Sequence, residues 1–471
     1  NLIQNYLMNR IIPVKIAVLI TIVLVMFISA CKQGDDITDP VIPPVVIDTT
    51  KIFSNTYGTS LSDLITGARQ CNDGGIIVCG YTISGAFGDN DIFIMKLNGN
   101  GTVVWSNLYG GSGNDQATSI EKTDDGSFVI SGTTSSFGGT FDPFLMKIDQ
   151  TGAIAWSNVY RWWNEDYSNA VIQTGDMGYI ITGYSNSFSI GGYDVFSLKL
   201  DQSGGLMWAR CYGGPENDYG NSIRTSPEGG YIIGGYTFSF GVSGDAYILK
   251  LYGDGVLRWS KSYGGAGFDN IKDIQNVSGG FIACGSTSSF GLVDEDAYVF
   301  SIDNQDGFVY WSRTFDGIAG GPSQFYKVLS SGDGGFLLAG NMQNDVNNLQ
   351  DISLVKLFGD GAFNYAKLFG GSSNEIASSI SVKSDGGLLM TGSTSSFGAG
   401  SNDMYLLSLY NNGTGCLQDN PVTPIGGTPL TEVNEQTSSY LDINFYDTFV
   451  PAWNVATFSV LPNTQCIQNP K

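Results

Sequence analysis

Residues 115–160 read DQATSIEKTDDGSFVISGTTSSFGGTFDPFLMKIDQTGAIAWSNVY. Four short apolar runs lie in this stretch, near Ala117–Lys122, Phe128–Thr133, Pro143–Ile148 and Ala153–Tyr160. Each is a strand by its length, alternation and β-branched or aromatic content. The joins are the turn DDGS, the loop TTSSFGGT and the turn Asp149-Gln150-Thr151-Gly152. Glycine in such turns supplies the positive φ that tight hairpins need.

The stretch is one copy of a repeat. Its turn recurs as Asp73-Gly74-Gly75, Asp125-Gly126-Ser127, Asp176-Met177-Gly178, Glu228-Gly229-Gly230, Ser278-Gly279-Gly280, Asp333-Gly334-Gly335 and Asp385-Gly386-Gly387, at spacings of 52, 51, 52, 50, 55 and 52 residues. No sustained helical periodicity interrupts residues 51–415. Four antiparallel strands, a to d, at this period predict an all-β fold, a β-propeller of four-stranded blades. The d strands end at Tyr109, Tyr160, Tyr212, Tyr263, Phe315 and Phe369, and the seventh set stops after strand c. The missing strand lies at the front, because Phe53-Ser54-Asn55-Thr56-Tyr57 matches Trp105-Ser106-Asn107-Leu108-Tyr109. The reading is therefore seven blades, with residues 51–57 completing the last one and leaving no open edge in the ring.

The pattern K-[IL]-D-x-x-G-x-x-x-W, Y-G-G, D-x-A-x-S-I, D-G-G, T-S-S-F-G resembles the secreted β-propeller-repeat proteins of Bacteroidota, over about residues 51–415. The segment Asp149–Trp156 is also similar to the tryptophan-docking repeat of quinoprotein propellers. That similarity implies that Trp105, Trp156, Trp208, Trp259 and Trp311 pack between neighbouring blades. The resemblance carries no shared activity.

Ahead of the repeat, Ile16–Ile28 is almost wholly apolar, is preceded by Arg10 and Lys15, and runs into Ile28-Ser29-Ala30-Cys31. The run is short for a membrane-spanning helix and reads as a signal peptide. Its end resembles the lipobox of bacterial lipoproteins. This implies residues 1–30 as a leader, Cys31 as the lipidated residue and residues 31–50, rich in Pro and Asp, as a tether. Lys32-Gln33-Gly34-Asp35-Asp36 resembles a surface-export signal, so the expected location is the outer membrane, surface-exposed, with a periplasm-facing orientation as the alternative.

The chain has 44 acidic and 22 basic residues, a net charge of −22, and no histidine. The acidic balance excludes a nucleic-acid partner. The lack of histidine excludes His-based triads and His-ligated zinc. No cofactor is implied.

One acid recurs where strand a begins: Asp63, Asp115, Asp166, Asp218, Asp269 and Glu375, with Ser323 in the sixth unit. These could ring the channel mouth and hold a cation, or accept N–H bonds from their own loops. A second acid opens strand c: Asp91, Asp142, Asp194, Asp245, Asp296, Asp351 and Asp403. Departures from the repeat say more about function. In the third unit Tyr160-Arg161-Trp162-Trp163-Asn164-Glu165-Asp166-Tyr167 replaces the Tyr-Gly-Gly loop, so Arg161, Trp162, Trp163 and Tyr167 are candidates for a platform that stacks on a glycan or peptide. Local packing is the competing account. The sixth unit carries the polar loop Asn341–Gln350 instead of TSSFG.

Cys71, Cys79, Cys211 and Cys284 read as buried thiols, and Cys416 with Cys466 as a disulfide closing the tail, residues 416–471. Closure of a loop of about 50 residues is worth on the order of 4 kcal/mol in the chain-entropy model. The functional expectation is an envelope lipoprotein, not an enzyme, whose propeller binds or scaffolds a protein or glycan. The alternative is a carbohydrate-active hydrolase or lyase using top-face carboxylates.

Overall fold

The structure is a computed structural model. It describes residues 51–415, except the loop residues 84–86, 190, 292–294, 318–319, 345–348 and 399–400. In the tail it describes the backbone of 420–421, 432–435, 439–442, 447–449, 454–457 and 461–467. The leader, Cys31 and Cys416 lie outside the described residues.

Seven blades of four antiparallel strands form a ring, and the described residues contain no α-helix. Blade 1 spans Asp63–Gly110, blade 2 Asp115–Arg161, blade 3 Asp166–Gly213, blade 4 Asp218–Tyr263, blade 5 Asp269–Phe315 and blade 6 Ser323–Phe369. Blade 7 takes three strands from Glu375–Leu409 and its fourth from the front of the chain. Phe53–Gly58 pairs antiparallel with Asp403–Leu409, in the register Phe53↔Ser408 to Tyr57↔Met404. Every a–b pair carries a register shift near mid-strand. Such bulges sharpen the twist that blades need to pack radially.

The tail adds a feature that the repeat does not contain. Short strands pair with the outer edges of blade 6 (Asn420–Pro421), blade 4 (Glu432–Glu435), blade 3 (Ser439–Asp442), blade 2 (Asp447–Phe449) and blade 1 (Asn454–Thr457). The last, Leu461–Ile467, pairs with Phe53–Gly58 on the outside of blade 7. The tail thus runs round the rim against the order of the blades and ends on the strand that closes them. Cys466 lies in this last strand, opposite Ser54.

The core is distributed over the seams between blades, because each sheet buries both faces against its neighbours. At six of the seven seams the aromatic residue of strand d sits on the glycine of the next blade's c–d turn; at Gly413 Leu354 takes the place of the ring. A Cβ on Gly204 would lie 2.7 Å from Trp156, and one on Gly361 2.5 Å from Trp311. These glycines have φ of 80° and 77°. Four residues further along strand d, the Tyr109, Tyr160, Tyr212 and Tyr263 hydroxyls donate to the carbonyls of Gly152, Gly204, Gly255 and Gly307 at 2.6–2.8 Å. Tyr57 of the borrowed strand does the same to Gly101 at 2.6 Å. The expected tryptophan docking is therefore present, and the N-terminal strand takes part in it. Cys71, Cys79, Cys211 and Cys284 are free and buried.

Gly204→Ala places a side chain both in the left-handed region and against Trp156. The expected loss is about 2 kcal/mol from the backbone alone, read as a lower denaturation midpoint. Gly175→Ala, with open space around its Cβ, leaves the midpoint unchanged.

Candidate functional site

Strand alternation places the d–a and b–c loops of all blades on one face, called the top, around the mouth of the central channel. The recurring acids meet there. Asp115 accepts the Gly111 N–H at 2.8 Å, the Ser136 hydroxyl at 2.7 Å and the Thr134 hydroxyl. Asp218 does the same with Gly214, Ser239 and Thr237, and Asp269 with Gly265, Ser289 and Thr287. Glu375 holds Gly371 and Thr394, Asp63 holds Thr59, and Asp166 holds Ser187. Asp115, Asp218 and Asp269 thus tie the d–a loop to the b–c loop, Glu375 ties its d–a loop to the end of strand b, Asp63 holds its d–a loop and Asp166 its b–c loop. Among the described residues no group of three or more Cys, Asp or Glu is arranged to hold a metal.

The second acid of a blade comes close to the first acid of the next at six of the seven seams, blade 6 having Ser323 instead. A Cβ on Gly213 would be 2.0 Å from Asp194 Oδ1 and 2.6 Å from Asp218 Oδ2, so both carboxylates converge on one glycine. The same convergence occurs at Gly58, Gly110, Gly264 and Gly370. At these five seams a Cβ on the glycine after the strand-d aromatic would collide with the acids, whereas between Asp142 and Asp166 the position is Arg161, whose guanidinium turns away to the Phe137 carbonyl. Burial, reinforced by the like charge of Asp166, pushes Asp142 up to about 7. Burial also pushes Asp166 and Asp245 up to about 6.

The platform candidates separate. Trp162 is buried and packs edge-on against Phe188, with its centroid 5.5 Å away, inside the core between blades 2 and 3. The Arg161 guanidinium donates to the Phe137 carbonyl at 2.8 Å and pins the neighbouring loop. Trp163 is 62% exposed and lies 6.4 Å from Phe188. Tyr167 belongs to something larger.

Tyr167 stacks on Phe141 at 5.3 Å and on Tyr184 at 4.9 Å. Tyr184 meets Tyr219 at 4.8 Å, and Tyr219 stacks on Tyr236 at 4.5 Å. Tyr236 meets Phe268 at 5.3 Å, and Phe268 stacks on Phe238. Tyr193 bridges Tyr167, Tyr184 and Tyr219. Eight rings therefore form a continuous tract from blade 2 to the start of blade 5. Most are half-buried, and Phe238 is 44% exposed. Glu165 accepts the hydroxyls of Tyr167 at 3.2 Å and Tyr193 at 2.9 Å.

The tract arises from one register position. The residue after the strand-a acid faces a strand-b partner as Tyr167↔Tyr184 in blade 3 and Tyr219↔Tyr236 in blade 4. The same pair is Gln116↔Thr133, Asn270↔Ser286 and Gln324↔Asn341 in blades 2, 5 and 6. Blade 1 has Leu64↔Tyr81 and blade 7 Ile376↔Ser393, so blades 3 and 4 alone carry tyrosine at both positions. Reading each unit alone misses this; aligning the units on the strand-a acid shows two consecutive blades with Tyr at both positions. Burial first, then Tyr219 and Glu165 for Tyr184 and the hydrogen bond to Glu165 for Tyr193, pushes both hydroxyls up to about 12. They remain protonated donors at any physiological pH.

No protein-family profile and no curated protein sequence matches the chain. Among solved structures it is similar to Sqt1 from Chaetomium thermophilum, at 12% identity over 76% of this chain and 99% of that one, with a TM-score of 0.43. It is also similar to a putative 6-phosphogluconolactonase from Bacteroides uniformis, at 12% identity over 78% and 100%, with a TM-score of 0.45. An endo-arabinase from Bacteroides thetaiotaomicron is similar at 10% identity over 62% and 92%, with a TM-score of 0.31. The likeness is one of fold.

Asp142 and Asp166 bind protons more tightly in the folded chain than in the unfolded one. Their stabilising contribution is full below about pH 4 and is lost as pH rises through 6 to 7. Asp142→Asn removes one of the two charges, so its melting temperature exceeds that of the wild type at pH 8 and not at pH 4. Calorimetric scans at the two pH values read the difference.

Proposed function

We propose that the protein is a lipid-anchored envelope protein whose propeller binds a neutral glycan along the aromatic side of its top face. The observation that carries this reading is the continuous tract of eight rings, which breaks the sevenfold repeat. Half-exposed rings that already stack on one another lose little conformational freedom on binding and offer flat apolar faces. Their hydroxyls, with Glu165 and the Asn217 amide that holds the Tyr193 backbone, supply directional donors and acceptors. With a net charge of −22, the protein is a poor match for an anionic polymer.

Commitment of the recurring carboxylates to their loops supports binding over hydrolysis, since a glycosidase needs two carboxyl groups disposed about one bond. The lipobox-like Ile28-Ser29-Ala30-Cys31 supports the anchor, and the charged residues after it support display at the outer membrane surface.

On a glycan array the wild type retains one class of neutral polysaccharide. Tyr219→Ala weakens that binding roughly tenfold, the equivalent of about 1.4 kcal/mol. Phe308→Ala, an exposed ring at a c–d turn on the opposite face, leaves binding unchanged. Retention of no glycan by the wild type rejects the reading. The anchor is read separately: mass spectrometry of the mature N-terminus shows a diacylglyceryl-modified Cys31, and Cys31→Ser leaves the protein unlipidated.

A further inference from the structure

On the opposite face, the repeat builds a place for an ammonium group at its seams. The strand-c residue opposite the docking aromatic is Lys96, Lys147, Lys199, Lys250 and Lys356 in blades 1, 2, 3, 4 and 6. Four of these reach the aspartate of their own a–b turn, as Lys96–Asp73, Lys147–Asp125, Lys199–Asp176 and Lys356–Asp333, at 2.6–2.8 Å. Lys250 lies 4.7 Å over the ring of Phe281, the first strand-b residue of the next blade. In blade 7 the position is Ser408, and Lys383 brings an ammonium to it at 3.0 Å.

Blade 5 differs at all three positions. Ser301 stands opposite Trp311, Ser278 replaces the turn aspartate, and Val277 stands where blade 7 has Lys383. Among the described residues, blade 5 is the only one that brings no ammonium to this place. A cavity of about 540 Å³ occupies the seam with blade 6 instead. Its lining includes Ser278, Ser301, Tyr310, Trp311, Phe336 and Asp360, and no lysine or arginine. Phe336 is the counterpart of Phe281 and lies 5.9 Å from Trp311. Tyr310 is 57% exposed at the entrance. Arg313 sits over Trp311 at 5.8 Å, held by the Ser312 and Asp360 carbonyls, and is not part of the lining.

We propose that this cavity binds an organic ammonium ion supplied from outside the chain. Aromatic faces attract such cations through the ring quadrupole, Asp360 supplies the opposite charge, and the sister seam shows a Lys250 ammonium over the equivalent ring. The occupant is a lysine side chain of a partner protein, because the sister seams fill the same place with the chain's own lysine ammonium groups.

Isothermal titration of the folded protein with tetramethylammonium, choline and Nα-acetyl-lysine methylamide, referenced to sodium chloride, tests the site. One-site saturable binding is expected. The lysine compound is expected to bind tightest, and tightest binding of choline or tetramethylammonium overturns the assignment to a protein lysine. Ser278→Asp with Ser301→Lys rebuilds the pair seen in blades 1, 2, 3 and 6, fills the cavity and abolishes binding. Asp360→Asn weakens it at least several-fold, and Tyr219→Ala on the top face leaves it intact. Absence of saturable binding by all three probes, or undiminished binding by both cavity variants, overturns the proposal.

Discussion

The contact between the strand-d aromatic of one blade and the c–d turn glycine of the next holds the ring together. A single blade buries neither of its faces, so its strands gain stability only when a neighbour covers them. The indole or phenyl ring supplies apolar burial, and the tyrosine hydroxyl supplies a bond to the glycine carbonyl that neither group can make with water in that place. The contact requires glycine twice over, for its positive φ and for the missing Cβ. It also explains why the chain borrows its first strand: Phe53 and Tyr57 present the same pair of groups to Gly101. The seams leaving blades 5 and 6 have Phe315 and Phe369 in place of tyrosine. Asp273 of blade 5, fully buried, bridges the seams on both sides of its blade, to Arg224 of blade 4 at 3.1 Å and to Lys327 of blade 6 at 3.5 Å. These cations outweigh the burial and hold its carboxyl below the usual range. An ion pair of this kind fixes which groups face each other more than it adds stability.

The top face uses buried carboxylates for the same end. Each strand-a acid gathers donors from loops that would otherwise leave N–H and O–H groups without partners. The arrangement brings two acids to a single glycine at most seams, and burial raises the proton affinity of Asp142, Asp166 and Asp245, with the neighbouring acid adding to it at Asp142 and Asp245. A residue present in every blade for this reason is poorly suited to mark a ligand site, because its environment is the same all round the ring.

Much of the architecture is legible from spacing alone. The 50- to 55-residue period, the six complete sets and the stray Phe53–Tyr57 strand lead to seven blades and to the closure seen in the register Phe53↔Ser408. The site is less legible. Arg161, Trp162 and Trp163 stand out in a linear reading because they interrupt a loop motif, yet Trp162 is core and Arg161 braces a loop. Tyr184, Tyr219 and Tyr236 sit in ordinary strand positions and attract no notice one at a time. Their significance is lateral: they become neighbours only when adjacent blades stand side by side, a relation that local pattern does not express. The rim strands of the tail are hidden for a similar reason, since two to seven residues of modest β-propensity pair only because a blade edge is already there to receive them.

The repeat itself therefore serves as the control for reading function. Where seven positions share one geometry, a side chain that all blades keep belongs to the scaffold, and a side chain that one or two blades change has been released from that duty. Paired tyrosines in blades 3 and 4 fill positions that hold amides in blades 2, 5 and 6, Leu64 with Tyr81 in blade 1 and Ile376 with Ser393 in blade 7, and they join rings across two adjacent blades. Ser278 and Ser301 in blade 5 remove an ion pair kept in four sister blades, and they convert a filled seam into a cavity. Both changes alter surface chemistry while leaving strand register intact. A ring stabilised by seam contacts tolerates such changes because the aromatic–glycine contact itself is kept in the altered blades, with Trp156 on Gly204, Trp208 on Gly255 and Trp311 on Gly361.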